Sequence, residues 1–278
     1  MLTRRPYISL RALFDRDMAR GSTSCMISGQ PGSGKTTAML GLATRLIFHD
    51  LCVFRGMPTL QWARYPWDVK IIAYRCDPVF YMPSGKRYTD LEVHHIEGGF
   101  GDILKACELG KLNVLYFEFG KNEQTLWAKF SKFLVQRNIG EYASNFVSLF
   151  VDEASEIIPS PGFGPFRNVK SLVESITNFR KTLVSLFLAS QRSSDCHWLL
   201  ASKIQFSIYL KGAVLPGKES RIRQGAVDKL RVGSGLLSGG LFSYFTFPNL
   251  KINRFGVVRI KSRPQKVKSP KPDVSAVE

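Results

Sequence analysis

An α/β fold, with a mostly parallel central sheet flanked by helices, is predicted by three observations. Apolar runs alternate with helix-periodic segments from about residue 22 to 210, as a parallel sheet with crossover helices requires. A Gly-rich loop, GQPGSGKT at 29–36, stands between a strand-like run and a helix-like one. Two further apolar runs end abruptly in polar groups, one in Asp152 and Glu153, the other in Ser190, Gln191 and Arg192.

Strands are expected at 23–28, 69–74, 112–119, 146–151, 183–189 and 204–210. After the Gly-rich loop, Met39, Leu40, Ala43, Leu46 and Ile47 mark the buried stripe of a helix. Leu126, Trp127, Phe130, Phe133 and Leu134 mark a second, and Val169, Leu172, Val173, Ile176 and Phe179 a third. The stretch 57–111 is rich in Pro, Trp and Tyr and contains the turn MPSGK, so it reads as an inserted hairpin region instead of a regular crossover. From 232 to 250 the chain carries no charge, nearly the length of a membrane span. Gly233, Gly235, Gly239 and Gly240 break any helix there, and strand, turn and strand is the expectation, with a membrane-contacting segment as the alternative. Beyond 250 the sequence turns basic, Pro-rich and poor in apolar groups, so 251–278 reads as a disordered tail behind one domain at 1–250.

Lys and Arg total 39 against 22 Asp and Glu, a formal charge of +17 that favours a polyanion or an anionic membrane surface as partner. Cys25, Cys52, Cys76, Cys107 and Cys196 are odd in number and lack CxxC spacing, which points to a reducing compartment. The N-terminal stretch lacks the uninterrupted apolar core of a signal peptide, so a cytoplasmic, unsecreted chain is expected. His94 and His95 are adjacent, face opposite sides of a strand, and are not expected to share a metal.

The loop fits G-x-x-x-x-G-K-[ST] at every fixed position. Wrapping a phosphate in backbone N–H groups demands angles and close approaches that glycine accepts, here Gly29, Gly32 and Gly34. Gln30, Pro31 and Ser33 fill the loop, Lys35 reaches the β and γ phosphates, Thr36 presents a hydroxyl to Mg²⁺, and Thr37 continues into the helix. ATP and Mg²⁺ are the cofactors this predicts. Asp152 and Glu153 fall at the carboxyl end of a strand, where ligands bind in open α/β sheets. Asp152 is expected to hold the Mg²⁺ shell through water, and Glu153 to act as general base on the attacking water; the alternative is a solvated pair capping a strand. Gln191 can hydrogen-bond water and γ-phosphate together if its strand lies beside the acidic one. Arg180 and Arg192 are the candidates to neutralise charge in the transition state.

The order GQPGSGKTT, then LFVDEAS, then FRK before a strand ending ASQRSSD, resembles the FtsK/HerA superfamily of ring-forming DNA-pumping ATPases over about 20–212. The resemblance implies a RecA-like P-loop NTPase fold and a homo-oligomeric ring, with a hexamer expected. It implies a glutamine ending the strand after the acidic one, in the slot of Gln191, and a γ-phosphate-sensing arginine just ahead of that strand, in the slot of Arg180. Within the superfamily the chain looks most like the genome-packaging ATPases of viruses with an internal membrane. That implies double-stranded DNA as partner, a capsid or membrane protein as another, and a place in the host cytoplasm or the virion. The stretches 57–111 and 232–250 match no pattern of that family.

For a DNA motor the candidate contacts are the loop at 159–165, the basic run Lys218, Arg221, Arg223, Lys229 and Arg231, and the tail residues Lys261, Arg263, Lys266, Lys268 and Lys271. Two other readings stand beside it: a membrane-docked morphogenesis or secretion ATPase acting on protein, anchored by 232–250, and a slow ATP-binding switch.

Overall fold

The computed structural model describes residue 13 and residues 22–140, 146–160, 166–217, 224–239, 242–247 and 256–262. The first strand, β1 (Ser24–Ser28), lies inside a ten-stranded sheet and leads through the Gly-rich loop into α1 (Lys35–Leu46). The chain then forms β2 (Asp50–Arg55), β3 (Val69–Tyr74), β4 (Cys76–Tyr81), β5 (Val93–Ile96), α2 (Phe100–Ala106) and β6 (Leu112–Tyr116). There follow α3 (Lys121–Gly140), β7 (Phe146–Val151), the single turn α4 (Ala154–Ile157), α5 (Phe166–Phe179), β8 (Val184–Ser190) and β9 (Phe206–Leu210). A short helix, α6 (Gln224–Asp228), precedes β10 (Ser234–Ser238), β11 (Phe242–Thr246) and β12 (Val257–Ser262). The order across the main sheet is β11-β10-β9-β1-β8-β7-β2-β6-β3-β5. From β9 to β5 every neighbouring pair is parallel, and β10 and β11 add an antiparallel edge.

A strand covered on both sides exposes neither of its alternating faces to water, which explains the unbroken apolar runs. Met26, Val53, Leu115, Leu149 and Leu186 face one layer, where they pack on Trp127, Phe130 and Leu134 of α3 and on Val169, Val173 and Ile176 of α5. Ile27, Phe54, Val114, Phe150 and Phe187 face the other, against Met39, Ala43 and Leu46 of α1. The predicted helical stripes are these buried stripes, and all six predicted strands are present with ends shifted by up to three residues, the largest from 119 to 116.

The expected hairpin at 232–250 is the β10–β11 pair, with Leu236 and Leu237 buried. Within 57–111 the MPSGK turn closes a small hairpin, Met82 N–H donating to Lys86 O at 2.7 Å, while β3 and β5 join the main sheet. The neighbouring β4 leaves it to pair with β12 in a separate two-stranded sheet. Ordered chain thus extends past the expected boundary at 250: Val258 is buried, and Ile260 packs beside it on the α1 face, while Arg259 and Lys261 point outward. The stretches 248–255 and 263–278, with Arg263, Lys266, Lys268 and Lys271, lie outside the described residues, as do 161–165 and Lys218, Arg221 and Arg223.

Candidate active site

Three neighbouring strands, β1, β8 and β7, place the predicted groups at one end of the sheet. Ser28 pairs with Ser190 and Val151 with Leu188, so the Gly-rich loop, Gln191 and the acid pair all leave the carboxyl edge side by side. The loop closes tightly. A Cβ on Gly29 would lie 2.4 Å from Ser33 Oγ and 2.9 Å from Leu210 Cβ, so the approach of loop to β9 needs glycine there. Gly34, at φ 94°, turns the loop into α1 through a conformation that side chains resist. Gln30 is exposed and lies over Gly212, Pro31 and Gly32 are exposed, and Thr37 is buried in the first turn of α1.

Lys35 is buried and curls back on the loop, its Nζ donating to Gly29 O at 3.1 Å and Gln30 O at 3.4 Å. Ser33 Oγ is buried with no partner among the described residues. Such an orphan is costly unless a ligand satisfies it, and it lies within the loop beside Gly29. The Thr36 hydroxyl donates to Asp152 Oδ2 and lies 2.7 Å from Gln61 Oε1. One hydroxyl proton cannot serve two acceptors, so with Asp152 receiving it, the Gln61 amide must turn its NH₂ toward Thr36.

Asp152 is fully buried, and burial pushes its carboxyl above the ordinary aspartate range against the pull of the Thr36 hydroxyl, the Glu153 N–H, Lys35 and Arg55. Glu153 is half-buried and shifted in the same direction, first by burial and then by the Asp152 charge. Its backbone is left-handed, φ 46° and ψ 53°, a conformation that costs a residue with a side chain about 1–3 kcal/mol.

What holds these acids is a residue the sequence reading missed. Arg55 ends β2, next to β7, and is 1% exposed. It meets Glu123, at the start of α3, through two parallel bonds of 2.6 and 2.9 Å, and Glu156 of α4 at 2.7 Å. Its remaining nitrogen donates to the carbonyls of Asp152 at 2.8 Å and Glu153 at 3.3 Å. Lys35 and Arg55 are the cations set among Asp152, Glu153, Glu123 and Glu156. The cradle with its orphan hydroxyl, the buried lysine and the Thr36–Asp152 pair therefore fit a nucleotide phosphate with Mg²⁺.

Gln191 and Arg192 are exposed at the mouth of this site, on the end of β8 between the loop and the acids. Arg180 is elsewhere. It opens the 3₁₀ turn Arg180–Thr182 ahead of the seven-residue β8, at the amino edge of the sheet, and about 23 Å of strand separates it from the edge that carries the Gly-rich loop. Within one chain it is not part of the site.

No family model matches the sequence, and none of the curated proteins does. Among solved structures the chain is similar to the genome packaging NTPase B204 from Sulfolobus turreted icosahedral virus 2 in complex with AMPPCP, at 13% identity and TM-score 0.49, over 81% of this chain and 97% of that one. It is similar to EssC (ATPases 2 and 3) from Geobacillus thermodenitrificans at 10% identity and TM-score 0.47, over 84% and 40%. The N-terminal domain of zonular occludens toxin from Neisseria meningitidis gives 14% identity and TM-score 0.35, over 82% and 96%. At these identities the likeness is one of fold.

Proposed function

We propose that the chain is an ATPase that drives double-stranded DNA, packaging a viral genome as a subunit of a homo-oligomeric ring. The observation that carries this reading is the side-by-side placement of the phosphate loop, Asp152–Glu153 and Gln191, with the Thr36 hydroxyl on Asp152. Backbone N–H groups of 29–34 and the N-terminus of α1 hold the phosphates, and Lys35 turns from its loop carbonyls to them. Thr36 and Asp152 would hold Mg²⁺, which would supply charge neutralisation to the phosphates. Glu153 takes a proton from the attacking water, for which its raised pKa suits it once deprotonated. Gln191 orients that water, and Arg192, on the same exposed loop, offers charge to the departing phosphate or to a neighbouring subunit's site. Arg180, at the opposite edge, acts only if the ring brings it to a neighbour's nucleotide.

The DNA part of the reading rests on the charge of +17 and on the motif order. Lys229, Arg231 and Lys261 are exposed and suit phosphate contacts without base readout. In the stretch that the membrane-docked alternative would use as its anchor, 234–238 and 242–246 form the edge of the main sheet; no described helix is long and apolar enough to cross a membrane. The test is the ATPase rate with and without duplex DNA across a salt series. Stimulation by DNA is expected, with affinity falling about 10³- to 10⁵-fold between roughly 50 and 200 mM salt if about 6 to 10 phosphates are contacted. A rate indifferent to DNA sinks the translocase reading, and a flat salt response sinks its phosphate-tracking basis.

A further inference from the structure

From its contacts we infer that Arg55 is a positioning residue for hydrolysis: it fixes the main chain of the acid pair, and through it the carboxylate of Glu153. The inference rests on the ATPase reading of the same site and names a residue outside every motif that suggested it.

A guanidinium removed from water is tolerated only when its donors are met with good geometry. Here Glu123, itself buried, takes Nε and Nη2 in a two-point contact that fixes the plane of the fork. With that plane fixed, Nη1 points at the carbonyls of Asp152 and Glu153. The pair would be a structural ion pair and no more if the fork ended on side chains. It ends instead on the two peptide units that decide where the Asp152 and Glu153 side chains leave the backbone. Glu153 is one of three described residues other than glycine at positive φ, so its conformation must be imposed from outside. Glu153 O receives Arg55 and the Glu156 N–H together, and Glu156 in turn gives its carboxylate to Arg55, which closes a ring of contacts around the strained residue. The Glu156 carboxylate is mostly exposed and forms the weak arm; Glu123 forms the strong one.

The test compares Arg55→Lys, Glu153→Gln and the double variant by kcat, nucleotide dissociation constant and thermal midpoint. Lysine keeps the charge but cannot hold Glu123 with two donors and still reach both carbonyls. Arg55→Lys is expected to lower kcat about 10- to 100-fold, since small misplacements of a reacting group cost that much, with nucleotide affinity kept within about threefold. Added to Glu153→Gln it should lower the residual rate no further, because the two act as a unit. A rate within about twofold of the unaltered chain, an equal loss in the Glu153→Gln background, or a fall in nucleotide affinity parallel to kcat each overturns the inference. Should Arg55→Lys fail to fold, Glu123→Gln replaces it. It preserves shape and weakens the same clamp, so a smaller, equally non-additive loss is expected, and an additive one overturns the inference. Turnover by the unaltered chain is read in the same assay. Its absence removes the ATPase reading itself, whereas turnover insensitive to Arg55 removes this inference alone.

Discussion

Two adjacent strands, β7 and β8, carry nearly interchangeable buried runs, FVSLFV and VSLFLAS, and finish in opposite ways. The end of β7 is closed: Asp152 is buried, Glu153 is held in a left-handed turn, and Arg55 binds both carbonyls. The end of β8 is open, with Gln191 and Arg192 exposed. A group that must stand at a fixed distance from a metal and a water has to be clamped before the ligand arrives, because any freedom left to it lowers the rate. A group that reports on the ligand has to be able to move with it. Under the proposed function the first task falls to β7 and the second to β8.

The comparison is broken or sharpened by four measurements. The largest effect is expected in Glu153→Gln, where ATP hydrolysis should fall about 10²- to 10⁴-fold while nucleotide stays bound; normal turnover there would leave the closed end without its task. Next comes Lys35→Ala, which removes the one cation inside the cradle and should weaken nucleotide binding at least about 100-fold, as loss of a charged contact worth some 3 kcal/mol would, read by titration with a fluorescent analogue. Gln191→Ala should lower kcat by only about tenfold, the size of one hydrogen bond of about 1.4 kcal/mol. A loss as deep as that in Glu153→Gln would erase the contrast between the two ends.

The smallest effect is on stability against pH. Burial lifts the carboxyls of Asp152 and Glu153, so the folded chain holds their protons more tightly than the unfolded one. Their contribution is complete below the ordinary carboxylate value of about 4 and is lost as pH rises through the lifted values. The melting temperature of the nucleotide-free chain should fall over that window by about 2–4 °C per kcal/mol lost, and fall less in Glu153→Gln. A melting temperature that rises there would contradict the burial of the pair.

The motif-bearing half of the sheet was legible in the sequence because its signals are local: runs of apolar residues, a loop of fixed spacing, polar groups where a strand stops. β2 was not. Its apolar core is four residues long and is bracketed by Asp50 and Arg55, which normally mark a surface. Both are buried because distant partners meet them, Ser148 donating to Asp50 at 2.5 Å and Glu123 clasping Arg55, and no local pattern encodes such partners. Gln61 was hidden for a similar reason, since it lies in a stretch without periodicity and acquires meaning only from its contact with Thr36. Arg180 shows the converse: a residue just ahead of a parallel strand stands at its amino edge, opposite the groups that end it, so strand direction already set Arg180 apart from Gln191 and the acids.

The pairing of β12 with β4 has a bearing on how the molecule is made. Gly256 O receives the N–H of Leu60 at 3.1 Å, and the N–H of Val258 bonds Pro58 O at 2.7 Å. The residues just ahead of Gln61 are thereby seated by a stretch synthesised some two hundred positions later. The neighbour that touches the loop's threonine is therefore seated only once the chain has been made as far as β12. A fragment that ends before β12 would carry the whole loop and lack that long-range seat, the kind of non-local contact that forms late in folding.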